Sequence, residues 1–67
     1  METFKERMVT EYNELQERIG KLCTFINGGA IFETLSEDEQ SEMKEQLHGM
    51  TIYRNALEKR MRRRNLI

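Results

Sequence analysis

The chain has no proline, no tryptophan, a single histidine and a single cysteine. Cys23 alone cannot close an internal disulfide, and one cysteine with one histidine falls far short of a structural zinc set. No apolar run approaches the roughly 18 residues that a bilayer span needs. The opening Met1-Glu2-Thr3-Phe4-Lys5-Glu6-Arg7 lacks the hydrophobic stretch of a secretion signal. These absences set the expectation of a protein of a reducing cytoplasm, with no membrane, metal or cofactor. Groups that carry catalysis are equally sparse. His48 has no carboxylate or thiol expected beside it, and Cys23 sits at the edge of a helical stripe. The acidic run at 37–45 lacks the loop glycine and ligand spacing of a calcium loop. Gly28-Gly29 follows a helix and lacks the strand and lysine of a P-loop. No residue is expected to be catalytic, and the chain is not expected to be an enzyme.

What is present is small and evenly divided. Sixty-seven residues make one domain, 1–67, and a chain of this length buries only about 60% of the surface its unfolded form exposes. With 37% hydrophobic and 34% charged residues, it is too apolar for simple disorder and too polar to fold comfortably alone. Disulfides and metals being excluded, association of copies is the remaining way to enlarge the core.

The apolar pattern is helical throughout. From Phe4 the stripe runs Met8, Tyr12, Leu15, Ile19, Leu22 and Ile26, in steps of three and four. Val9, Cys23 and Phe25 widen it beyond a two-stranded seam. A helix is expected over about 3–26, with Gly20 inside it hinting at a close helix crossing or a weak point. Asn27-Gly28-Gly29 ends it, because Asn and Gly tolerate the left-handed conformation of a helix C-cap. Residues 30–35, with Ile31, Phe32 and Leu35, suit one short helical turn. Ser36-Glu37-Asp38-Glu39 then fits a capping box and opens a second helix over about 37–64. Its stripe is Met43, Leu47, Met50, Leu57 and Met61, with Arg54 where the rhythm asks for an apolar residue and Ile52 and Tyr53 beginning a second stripe. The expected fold is therefore all-α: an antiparallel helical hairpin with a short connecting helical turn, assembled into a homo-oligomer.

Net charge is only −1, yet the signs are sorted. Glu33, Glu37, Asp38, Glu39, Glu42 and Glu45 crowd the start of the second helix, and Arg54, Lys59, Arg60, Arg62, Arg63 and Arg64 crowd its end. Arg60 and Arg64 lie one turn apart on one face, with Tyr53 and Arg54 one to two turns earlier. Arginine grips phosphate with paired donors and tyrosine offers a flat face to a base, a mix that suits a nucleotide. A basic tail that merely solubilises, or that pairs with a neighbour's acids, has the same composition. Tyr12 likewise reads as a core or interface aromatic, or as one of two symmetry-related rings around a two-fold symmetric ligand such as a cyclic dinucleotide.

Glu11-Tyr12-Asn13-Glu14-Leu15, Ile19, Lys21-Leu22, Phe25-Ile26, Phe32-Glu33-Thr34-Leu35, Glu39-Gln40, Gln46, Met50, Tyr53, Leu57 and Arg60 form a pattern that covers about residues 4–62. It resembles the small phage family of anti-CBASS cyclic-oligonucleotide sponges, which overlaps a set of short helical proteins of crAss-like and other tailed phages. The resemblance implies a hexamer that binds cyclic dinucleotides between protomers and, in some members, cyclic trinucleotides at separate sites. It implies sequestration in the infected bacterial cell: the defence signal is held uncut. Tyr12 matches the family tyrosine that stacks on a base, and Arg60 an arginine that meets trinucleotide phosphates, with Arg64 one turn beyond. The family's phosphate-gripping lysine falls near Asn27, where no basic side chain stands, so Lys21 or the amides of Gly28 and Gly29 are the substitutes. Beside this stand two readings of another class: a basic helical module for polymeric nucleic acid, and a protein adaptor.

Overall fold

The computed structural model describes residues 3–67 and consists of two long helices joined by a short 3-10 turn, with no strand among the described residues. Helix α1 spans Phe4–Asn27, the turn Phe32–Thr34, and helix α2 Glu37–Arg63. Each long helix thus ends within a residue of its expected bounds.

The ends of the helices are set by local chemistry. Thr3 caps α1: its side chain accepts from the Glu6 N–H at 3.1 Å, and the Glu6 carboxylate accepts from the Thr3 N–H at 3.2 Å. This is the reciprocal box that the sequence places at Ser36 and Glu39. Ser36 instead caps α2 through one bond, its hydroxyl accepting from the Glu39 N–H at 3.1 Å. At the C-terminus of α1, Gly28 is still right-handed, and its N–H donates to Thr24 O at 2.7 Å. A Cβ there would come within 2.8 Å of that oxygen, so only glycine fits. Gly29 carries the left-handed step at φ 80°, and Asn27 does not. Helix α2 ends in a Schellman motif. Asn65 takes the left-handed conformation at φ 59°, Leu66 N–H donates to Met61 O at 2.9 Å, and Asn65 N–H donates to Arg62 O at 3.0 Å. The motif turns Leu66 back onto the core.

Packing joins the start of α1 to the end of α2. Met8, Leu57 and Met61 are buried together, with Val9, Tyr12 and Leu66 packed against them. Farther along, Leu15 is buried, and Arg54 Nη1 donates to Gln16 Oε1 at 3.2 Å. That bond explains a charged residue in the apolar line of α2: its guanidinium reaches sideways to the facing helix. The connecting segment is pinned by Phe32, buried, edge-on to Phe25 with ring centroids 6.4 Å apart. Gln40 Nε2 donates to both Phe32 O and Leu35 O at 3.1 and 3.0 Å, fastening the turn to α2.

Between these ends the stripes are thinly covered. Ile19, Leu22, Ile26, Met43, Leu47 and Met50 remain half-buried. Gly20 has nothing within 4 Å of where a Cβ would stand, so it marks no close crossing within the chain. The particle is a rod of 43 × 19 × 17 Å.

Candidate functional site

The expected site residues divide between the two ends of this rod. At the end where α1 begins and α2 finishes, a small pocket of about 90 Å³ is lined by Phe4, Arg7, Met8, Glu11 and Arg60. Its position follows from the packing: Met8 seated against Leu57 and Met61 brings the first turn of α1 level with the last turns of α2. Arg64, the C-cap residue of α2, places its guanidinium carbon 4.7 Å from the centroid of the Phe4 ring. Three arginines therefore surround one exposed phenylalanine. None of their side chains makes an ion pair or hydrogen bond to another side chain among the described residues. Glu11 in the same pocket offsets part of their charge.

Such a cluster can do two things chemically. Free guanidinium groups present planar sets of donors that match phosphate oxygens. The cation over Phe4 holds that side chain in place, since a cation over a ring face is attracted to it by roughly 0.5–1 kcal/mol at an exposed site. Phe4 and Arg7 were not among the site residues expected from the sequence, where Phe4 only heads the apolar stripe of the first helix. Their only signal is their spacing of three residues, which places both on the first turn of α1.

Tyr12 lies one turn beyond Met8, half-buried against the same core. Its hydroxyl accepts from Gln16 Nε2 at 3.3 Å, and Gln16 in turn accepts from Arg54. An Arg54–Gln16–Tyr12 chain of hydrogen bonds thus spans the two helices. It ties the half-buried Arg54 to the facing helix, whereas Tyr53, its neighbour in sequence, is 44% exposed.

The remaining expected residues lie at the other end. Lys21 Nζ pairs with Glu17 Oε1 at 3.1 Å on the exposed side of α1. Asn27 donates to Cys23 Sγ at 3.2 Å, and the Gly28 amide is used within α1. Tyr12 and Asn27 are fifteen residues apart on one helix, about 22 Å along its axis. Within one chain, therefore, Tyr12, Arg60 and Arg64 share one end, and Lys21, Asn27 and Gly28 do not join them. A pocket of about 210 Å³ beside Gly28 and Gly29 is lined by Thr24, Phe25, Ala30 and Ile31, with no cation in it.

No group of three or more potential metal ligands occurs among the described residues, and no helix there is long and apolar enough to cross a membrane. A family model described as Sequestin matches residues 2–63, nearly the whole chain, and that name points to a sequestering role. It fits the likeness to ligand-holding sponges carried by Tyr12, Leu57 and Arg60. Neither curated proteins nor solved structures give a match.

Proposed function

Since the chain belongs to the Sequestin family, we propose that it is a phage-encoded sponge that binds cyclic di- or trinucleotide second messengers and holds them uncut, blocking CBASS immunity in the infected bacterial cytoplasm. The observation that carries this reading is the gathering of Arg7, Arg60 and Arg64 around Phe4, beside Tyr12. Cation donors for phosphate and flat rings for bases then stand at one end of a rigid rod.

The protomer in this reading is an antiparallel hairpin, and the binding unit is a homo-oligomer, a hexamer as the resemblance implies. Pocket size argues for more than one copy. Sites that enclose a small molecule have volumes of about 300–1,000 Å³. The arginine-lined pocket offers about 90 Å³, and a neighbouring one, about 330 Å³ among Lys5, Glu6, Val9, Thr10 and Leu66, is open and mostly apolar. A second protomer over the arginine end supplies the missing wall. Lys21, Asn27 and Gly28 can contribute to the same site only from such a neighbour. A sponge needs no reacting group, and affinity here comes from a site ordered before the ligand arrives.

Isothermal calorimetry with a panel of cyclic di- and trinucleotides tests the proposal. Heat of binding with at least one of them, followed by recovery of intact ligand after the protein is denatured, is the expected result. No heat with any member of the panel refutes sequestration of this class, and a cleaved product makes the protein an enzyme.

One observation favours a second reading. Lys59, Arg60, Arg62, Arg63 and Arg64 are all exposed on the side of the end of α2 that the core leaves open, a basic surface that suits a polymer of phosphates. Gel shifts at two salt concentrations separate the two: polymer binding weakens steeply with salt, by about 0.7–0.9 in log–log slope for each phosphate neutralised.

A further inference from the structure

The outer face of α2 divides into three parts. Asp38, Glu42 and Glu45 occupy its first third, Gly49, Ile52, Tyr53 and Ala56 its middle, and Lys59 and Arg63 its last. The middle residues follow the i, i+3, i+4, i+7 spacing of one helical face. Helix α1 leaves them uncovered: Gly49 and Ala56 are exposed, Ile52 is 55% exposed and Tyr53 44%. A Cβ on Gly49 would meet nothing within 4 Å, so nothing in the fold explains a glycine in mid-helix. The charges at both ends are also unspent. Glu42, Glu45 and Arg63 make no ion pair among the described residues, unlike Arg62, whose Nη2 lies 3.6 Å from Glu58.

We propose that this face binds the same face of a second copy, with the two α2 helices antiparallel about a two-fold axis between Ile52 and Tyr53. The arrangement is self-complementary. Gly49 of one copy stands opposite Ala56 of the other, twice over, and two small residues let the helix backbones approach closely. Ile52 and Tyr53 of both copies then close around the axis. The acidic third of each helix lies over the basic third of the other, so every charged segment meets its opposite. A parallel arrangement would set acids against acids and bases against bases, which charge repulsion disfavours. Closed two-fold association is the commonest symmetry of soluble oligomers, and this face satisfies its demand that one patch fit itself. The assignment rests on the reading above, which needs more than one copy, and names the surface through which two of them join.

Charge exchange tests it without any ligand. Glu42→Lys with Glu45→Lys makes both contacting segments basic, and Lys59→Glu with Arg63→Glu makes both acidic. Each double variant alone is expected to self-associate at least tenfold more weakly than the parent by sedimentation or native mass spectrometry. An equimolar mixture, with one variant carrying a mass label, is expected to recover the parental mass as mixed pairs. Gly49→Leu is the control for a folding defect. The new side chain has open space within the chain, so helicity by circular dichroism stays at the parental level while the mass falls. Parental mass in each double variant, failure of the mixture to recover, or a parent already monomeric at micromolar concentration overturns the proposal. Calorimetry of the cyclic nucleotides is read separately, so loss of the interface and absence of ligand binding are distinct results.

Discussion

The two ends of the rod are closed by different means. Where the helix termini meet, Met8, Leu57, Met61 and Leu66 form an apolar plug, with Arg7 and Arg60 unpaired among the described residues at its rim and Arg64 over the Phe4 ring. Where the chain turns, Phe25 and Phe32 meet edge-on, Gln40 ties down two backbone carbonyls, and the nearby cation Lys44 rests 5.8 Å over the Phe32 ring. The connecting end spends its polar groups on holding its own shape, and the terminal end leaves them available. In the proposed reading, binding belongs to the end whose donors remain available, and the connecting end has the character of a clasp.

Removing the plug is the most damaging way to break this contrast. Leu57 is 1% exposed and touches both helices. Leu57→Ala is expected to cost about 2–5 kcal/mol, the range for truncating a buried leucine. In so short a chain that is much of the total stability, so urea denaturation should show a largely unfolded protein. A loss under about 1 kcal/mol would mean that the terminal plug does not hold the helices together.

Arg60→Ala sharpens the contrast from the functional side. Its guanidinium lines the pocket and has no partner among the described residues, so stability should stay within about 0.5 kcal/mol of the parent. Affinity for a cyclic nucleotide should fall by about 1.5–3 kcal/mol, the value of a hydrogen bond to a charged group. Lys21→Ala, at an ion pair exposed on both sides, should change neither quantity measurably. Equal losses of affinity from the two variants would place both ends of the rod in one composite site, with Lys21 supplied by a neighbouring copy.

At the connecting end the critical residue is Gly29. A side chain at its φ of 80° is strained, so Gly29→Ala should destabilise by about 1–2 kcal/mol in thermal or urea melts. Gly28 and Gly29 also show what was legible in the sequence. Asn27-Gly28-Gly29 located the end of α1, and Ser36 the start of α2, because caps depend on residues three or four positions apart. The choice among the three for the left-handed step was not legible, since it turns on how closely Gly28 approaches Thr24 O. The capping box at Thr3 and Glu6 lay open to the same local reasoning and was assigned to Ser36 and Glu39 instead. The pocket was legible by half. Arg60 and Arg64 stand out as a cluster on one helix, whereas Phe4 and Arg7 join them only through the register of α1 against α2. The same register gives Arg54 its partner: no pattern on α2 alone announces Gln16, 38 residues away.

The mildest substitution probes the middle of the rod, where neither plug nor clasp reaches. Gly20 lies in open space on the exposed side of α1 and has no positive φ to justify it. Alanine there should stabilise by up to about 1 kcal/mol through helix propensity alone, read as a higher urea midpoint with an unchanged slope. The gain should be the same in dilute and concentrated protein, because the outer face of α1 is polar at Asn13, Glu17, Lys21 and Thr24 and offers no apolar seam to a second copy. If Gly20→Ala stabilises the dilute protein but lowers the mass of the concentrated one, then α1 also meets a neighbour at close range. The asymmetry between the polar outer face of α1 and the apolar middle of α2 would then no longer decide which helix joins the copies.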